Sequence, residues 1–246
     1  MDKKAILVFF LILLHGEASC QSDSLKTLSQ PEKYEVSYLS FRKNFVPVAL
    51  LGSGLTIEAL GIKRDIQDIF PRTNTHVENY LQYAPVGILY GADLLKIPHA
   101  NTVFNQTKYL FISELVTAII THTLKIMVHE SRPGGGEHSF PSGHTSQSFS
   151  SASVVYNEFV HTNKTIAWSG YLFSTTTAIL RVTNNRHWVP DVLAGAGIAM
   201  LVTNLVYYFH PLKNWDPFHW NDQVVLAPGI YPESDTYSVR VQYIFR

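Results

Sequence analysis

The chain has 246 residues, of which 46% are hydrophobic and only 15% charged, against roughly 25% charged in an ordinary soluble domain. Its formal net charge is zero, which excludes a nucleic-acid partner held by bulk electrostatics and leaves any phosphate recognition to a local cluster of cations. The length suffices for one large domain, or two small ones, with a real core.

The N-terminus reads as an export signal. Lys3 and Lys4 form a basic start, residues 5–14 are uninterruptedly apolar, and Gly16, Ala18 and Ser19 are small. That apolar run is too short to span a bilayer comfortably, which fits a cleaved signal over residues 1–20. Cys20 is the only cysteine, so no internal disulfide is expected. Glu17 stands where a lipoprotein signal wants an aliphatic side chain, which argues against lipidation of Cys20. Residues 21–44 are polar and read as a leader.

Six apolar segments follow, at 45–62, 83–95, 108–128, 144–160, 166–182 and 190–209. Their lengths and Ala/Leu content predict helices. Breakers and polar residues separate them: 64–79, 97–107, the run Pro133-Gly134-Gly135-Gly136, and Asn184-Asn185. The Ser-rich stretch from Ser146 to Ser153 belongs to a helix that must pack closely. In the tail, Tyr237, Val239, Val241, Tyr243 and Phe245 alternate with Ser238, Arg240, Gln242 and Arg246. This period of two predicts a strand, paired with 223–226 across 228–236 as a short hairpin. The expected fold is therefore all-α, a six-helix bundle over 45–210, with a C-terminal extension over 211–246 that carries the hairpin. The hairpin is a candidate for self-association or partner docking.

Membrane insertion is ambiguous at this level. Residues 192–209 and 166–180 are charge-free, but Glu58, Asp93, Glu114 and His122 interrupt three other segments. Ionisable groups inside a bilayer are costly unless functional. With a cleaved signal and six crossings, the loops after the third and fifth helices would face the cytoplasm. Those loops carry the chemistry. An exported body in the cell envelope, facing the periplasm and globular or peripherally attached, is slightly favoured over an integral one.

Three polar clusters interrupt the apolar chain. Lys125 and Arg132-Pro133 place two cations seven residues apart on one helix face. By itself this pair reads equally well as helix C-terminal cations serving the dipole. Phe140-Pro141-Ser142-Gly143-His144-Thr145 predicts a tight turn whose backbone N–H groups open onto a helix start, an arrangement that binds anions. His144 stands at its mouth. Arg181, His187 and Asp191 form the third cluster. Asp191 lies four residues after His187, where a carboxylate fixes the imidazole tautomer and raises its nucleophilicity. Arg181 offers a planar fork to phosphate oxygens.

In this order and spacing, Lys-x6-Arg-Pro, Pro-Ser-Gly-His and Arg-x5-His-x3-Asp resemble the signature of the type-2 phosphatidic acid phosphatase (PAP2) and vanadium haloperoxidase superfamily. The resemblance covers residues 45–210 and not the tail. It implies a phosphatase with no cofactor and no metal. Lys125, Arg132 and Arg181 would clamp the phosphoryl oxygens, with Ser142 and the Gly143 N–H adding hydrogen bonds. His187 would attack phosphorus to give a phosphohistidine. Asp191 would orient His187, and His144 would protonate the leaving oxygen and then activate water. One departure is visible: the family usually has Ser before the third-motif arginine, and this chain has Leu180. Thr183, Asn184 and Asn185 are candidates to replace the missing hydrogen bond. The sequence offers no His/Asp/Glu cluster with metal-ligand spacing. The expected substrate is a phosphorylated envelope lipid (lipid A phosphate, undecaprenyl diphosphate, phosphatidic acid or phosphatidylglycerophosphate), with a membrane surface nearby. The alternatives are a soluble acid phosphatase on small phosphate esters, a vanadium haloperoxidase, and a non-catalytic envelope scaffold.

Overall fold

A computed structural model describes residues 41–209, 211–215, 224–231 and 236–243. The signal, the residue around its cleavage and most of the leader lie outside them. Six helices of eleven residues or more carry the body: α1 (Phe41–Ala59), α4 (Ala84–Leu94), α5 (Val103–Val128), α6 (Gly143–Phe159), α7 (Lys164–Thr183) and α8 (Val189–Tyr208). Three short helices lie between or after them: α2 (Lys63–Gln67), α3 (Glu78–Leu81) and α9 (Pro211–Asn214).

Local chemistry sets several of these ends. Thr102 caps α5 by accepting from the Asn105 N–H at 3.3 Å, and Asn163 caps α7 by accepting from the Ile166 N–H at 3.2 Å. Each satisfies a backbone donor that the first turn would otherwise leave unpaired. Pro190 enters α8 in its first turn, where a missing N–H costs nothing. The left-handed His129 (φ 52°) ends α5.

α8 is the central element. It is apolar on nearly every side and buried from Val189 to Ala199. It packs on α1, α6 and α5, while α6 also packs on α7. Leu89, Tyr109, Val154, Val155, Phe159, Ile198 and Val202 form the largest core cluster. The α1–α8 contact is backbone against backbone. A Cβ on Gly197 would lie 2.7 Å from the Pro47 carbonyl oxygen and 2.8 Å from the Leu51 nitrogen. The Ser-rich helix α6 is buried on most of its faces. Its hydroxyls bond inward: Ser148 Oγ donates to Ser174 Oγ (2.8 Å), Ser151 Oγ to Glu114 Oε1 (2.6 Å), and Ser153 Oγ to the Phe149 carbonyl (2.7 Å).

The expected fold class is corrected. The chain is not an all-α bundle of six helices with a short hairpin turning at Pro228. Among the described residues there are nine helices. The tail pairs eight residues with eight, β1 (Val224–Tyr231) antiparallel to β2 (Thr236–Tyr243), and Pro228 lies opposite Val239 inside the ladder. Proline reads as a turn signal, but both strands of a two-stranded ladder are edges, so its missing N–H need only face outward.

Among the described residues two helices are long and apolar enough to cross a membrane, α5 and α8. α8 spends its apolar surface inside the body. α5 does not: Phe111, Leu115, Ile119, Ile126 and Met127 are exposed along it. Exposed Phe45, Val48 and Leu55 on α1 and Trp168, Leu172 and Ile179 on α7 extend the apolar surface.

The Gly197 contact gives a stability test. Gly197→Val is expected to cost roughly 1–3 kcal/mol through overpacking, read as a lower thermal unfolding midpoint. Gly52→Ala, whose added Cβ meets nothing within 4 Å, is expected to hold or raise the midpoint through better helix propensity.

Candidate active site

Asp191, in the first turn of α8, gathers the third motif and the loop before the second. Its Oδ2 accepts from the Trp188 N–H at 2.9 Å, from the Ser139 hydroxyl, and from His187 Nδ1 at 3.3 Å. Its main-chain carbonyl accepts from the Ser142 N–H at 3.0 Å. His187 is 2% exposed. With its proton on Nδ1 facing the carboxylate, Nε2 carries the lone pair. Burial first, then the charges of Arg181 and Lys125, push this imidazole down to about 4, against the opposing pull of Asp191. It is therefore neutral at physiological pH.

His144 stands in the first turn of α6, with Nε2 at 3.0 Å from Asn79 Oδ1. Burial, followed by Arg181, also pushes it down to about 4, with Arg132 and Lys125 contributing and Glu78 opposing. Arg181 and Lys125 thus act on both imidazoles.

Each cation is held by a neighbour that leaves donors spare. Lys125 Nζ donates to the carbonyls of His138 (2.8 Å) and Ser139 (3.2 Å), two of its three N–H bonds. Arg132 Nε donates to the Glu137 carbonyl at 3.2 Å. Arg181, in the last turn of α7, faces Glu78 Oε1 at 3.5 Å, with side-chain exposures of 7% and 1%. Among the described residues Arg181 Nε is buried with no hydrogen-bond partner. Arg132 and Arg181 line a cavity of ≈ 240 Å³ together with His76, Glu78, Asn79 and Arg186.

The turn of the second motif lies between these groups. Gly143 passes Lys125: a Cβ there would stand 3.8 Å from Lys125 Cε. Ser142 is fully buried and its hydroxyl accepts from Thr145 Oγ1 at 3.0 Å, which leaves its own proton to donate. Gly195 of α8 lets the turn approach, since a Cβ there would meet the Ser142 carbonyl oxygen at 2.8 Å.

The candidates to replace a serine at Leu180 are engaged elsewhere. Thr183 Oγ1 accepts from Thr73 Oγ1 (2.9 Å), Asn184 Oδ1 from Thr73 Oγ1 (2.7 Å), and Asn185 Oδ1 from Gln67 Nε2 (3.0 Å). They tether residues 73–75 and α2. The sequence reading also passed over Glu78, Asn79, Ser139 and Arg186. Glu78 and Asn79 stood there only at the end of the connecting segment 64–79. Nothing local marked Glu78 as the partner of an arginine 103 positions away.

The geometry can be set beside known proteins. A family model described as PAP2 superfamily matches residues 134–215, which hold the second and third motifs. Over 91 residues the chain is 38% identical to a Porphyromonas gingivalis protein named lipid A 1-phosphatase. That stretch is 37% of this chain and 20% of the relative, so the match spans about one fifth of the relative's length. Among solved structures, Aquifex aeolicus LpxE aligns at TM-score 0.45 and 20% identity, covering 61% of this chain and 94% of that one. A Bacillus subtilis transmembrane PAP2 type phosphatidylglycerolphosphate phosphatase aligns at TM-score 0.46 and 19% identity, covering 71% and 99%.

The Arg181–Glu78 pair leads to a binding test. A phosphate entering the cavity competes with the carboxylate for the same guanidinium. Removing one negative charge at this range is worth on the order of 1–4 kcal/mol. Glu78→Gln is therefore expected to tighten inorganic phosphate binding by about tenfold, measured by calorimetry, at some cost in thermal stability because Arg181 loses its counter-charge.

Proposed function

We propose that the chain is a phosphatase that hydrolyses a phosphate ester of an envelope lipid through a phosphohistidine. The observation that carries the reading is a buried, neutral His187 backed by Asp191 and subject to the same cations as His144. The segment match to a protein named lipid A 1-phosphatase supports a glycolipid phosphate as substrate. The exposed apolar faces of α1, α5 and α7 support a body in contact with a bilayer, where a lipid headgroup can reach the cavity.

In this reading His187 Nε2 attacks phosphorus and the ester oxygen leaves. Asp191 holds the Nδ1 proton and stabilises the positive ring as it forms. Lys125, Arg132 and Arg181 take the charge that spreads over the three phosphoryl oxygens, with Ser142 and the Gly143 N–H adding donors. His144 starts neutral because burial first, and then the same cations, oppose its protonation. An incoming phosphate offsets those cations and favours the imidazolium, so the acid for the leaving oxygen is charged by substrate binding itself. In the second step the neutral His144 takes a proton from water, which attacks the phosphohistidine. The charge stabilisation comes from fixed side chains.

Two outcomes test this. Phosphate release from a lipid A-type 1-phosphate in EDTA should proceed in the native chain. It should fall by about three orders of magnitude or more in His187→Ala, as for loss of a nucleophile, with little change in unfolding midpoint. Full activity in His187→Ala would remove the proposed nucleophile. The acid limb of kcat/KM should lie near pH 4 and not at the ordinary imidazole value of about 6.5, because His187 stays unprotonated until its lowered pKa is crossed. A limb at pH 6.5 would contradict the role given to burial.

A further inference from the structure

Outside the phosphate cavity, the loop after α5 brings two histidines and a glutamate together. His129 and His138 both adopt left-handed backbone, φ 52° and 59°. Their rings pack edge to face with centroids 4.3 Å apart. His129 Nε2 lies 3.3 Å from Glu137 Oε2. One donor atom from each of His129, Glu137 and His138 lies within 4.8 Å of the other two. The arms of the loop are tied by the Ser139 N–H to the Glu130 carbonyl (2.8 Å) and the Arg132 N–H to the Gly136 carbonyl (2.9 Å).

The second imidazole is already oriented. His138 Nδ1 is 2.8 Å from the Lys125 carbonyl oxygen. That oxygen can only accept, so Nδ1 bears the proton and Nε2 the lone pair. A ring N–H given to a backbone carbonyl is the outer partner that metal-bound histidines regularly have.

We propose that His129, Glu137 and His138 bind a Zn²⁺ ion, with water completing a tetrahedron. Ligand bonds of about 2.0–2.1 Å give tetrahedral edges of about 3.3 Å, which is the His129–Glu137 separation found here. Two imidazoles and one carboxylate suit Zn²⁺, whereas Mg²⁺ and Ca²⁺ favour all-oxygen shells. The His129 and Glu137 side chains are 60% and 69% exposed, so an ion arrives from solvent without unfolding the loop. An ion pair at that exposure is worth little. It leaves unexplained why a second, pre-oriented imidazole is packed against the first.

The ion would act on the phosphate site without touching phosphorus. It would tie position 129 to positions 137 and 138. Between them lies Arg132, and the His138 carbonyl receives Lys125 Nζ. Two phosphate-clamping cations would then rest on a stiffened loop.

The test is direct metal binding by the full purified chain with no substrate present, so its result stands apart from any measurement of phosphatase activity. Equilibrium dialysis should find one Zn²⁺ per chain that depends on this loop. His129→Ala and Glu137→Gln should each weaken that binding at least about tenfold, while His161→Ala leaves it unchanged. Zn²⁺ should raise the thermal midpoint of the native chain and not that of the His129→Ala, Glu137→Gln double variant. No Zn²⁺ uptake by the native chain, binding by the double variant within twofold of native, or equal protection by Mg²⁺ would each overturn the proposal.

Discussion

The carboxylate of Asp191 holds the site together. Three donors converge on one of its oxygens, and its own carbonyl takes the Ser142 N–H. Through those bonds the start of α8, the loop at 187–188, Ser139 and the Pro-Ser-Gly turn have one relative position. A charge buried this deeply is tolerable because hydrogen bonds replace its water. It also sits in the first turn of a helix, where the backbone dipoles favour a negative group. Because Ser139 also gives its carbonyl to Lys125, the first motif joins the same network.

That network can form only because α8 is thin where it meets the turn. Gly195 admits the Ser142 backbone, and Gly197, two residues on, admits the backbone of α1. Successive small residues thus serve two sides of one helix. The side that faces the Pro-Ser-Gly turn needs a close approach to bring the turn onto Asp191. The other side needs one so that α1 can cover the core. The apolar surface left over after this packing faces outward on α1, α5 and α7, not into a larger interior.

Much of this was legible in the sequence because its signals are local. The six long helices begin and end within about five residues of the apolar segments, and the alternation in the tail marks β2. Lys125, Arg132, His144, Arg181, His187 and Asp191 stand out as site candidates by their spacing and by the family resemblance that the spacing carries. What sequence reading missed depends on distant partners. Glu78 acquires meaning only when α3 comes up against the end of α7, and Asn79 only when it meets His144. Pro228 reads as a turn until a partner strand runs past it. His129, Glu137 and His138 show no recognisable ligand spacing, since the seven positions between the first and second bring them together only after a loop folds back with both histidines in left-handed conformation.

The same distinction bears on how a chain of zero net charge would, in the proposed function, recognise a multiply charged group. Four cations, Lys125, Arg132, Arg181 and Arg186, lie in or beside the cavity, and their mutual repulsion must be offset in the resting protein. Glu78 does this for Arg181, and backbone carbonyls do it for Lys125 and Arg132. These are partial partners, long in the first case and incomplete in the others. Arg181 Nε is left with none. In the proposed function a phosphoryl group entering the cavity would complete bonds the fold has left open, so its binding would draw on the local charges of the site and not on the charge of the molecule as a whole. Burial first, and the same field second, keep both imidazoles unprotonated. In the proposed reaction Asp191 holds the Nδ1 proton of His187, so its Nε2 keeps the lone pair when phosphate arrives.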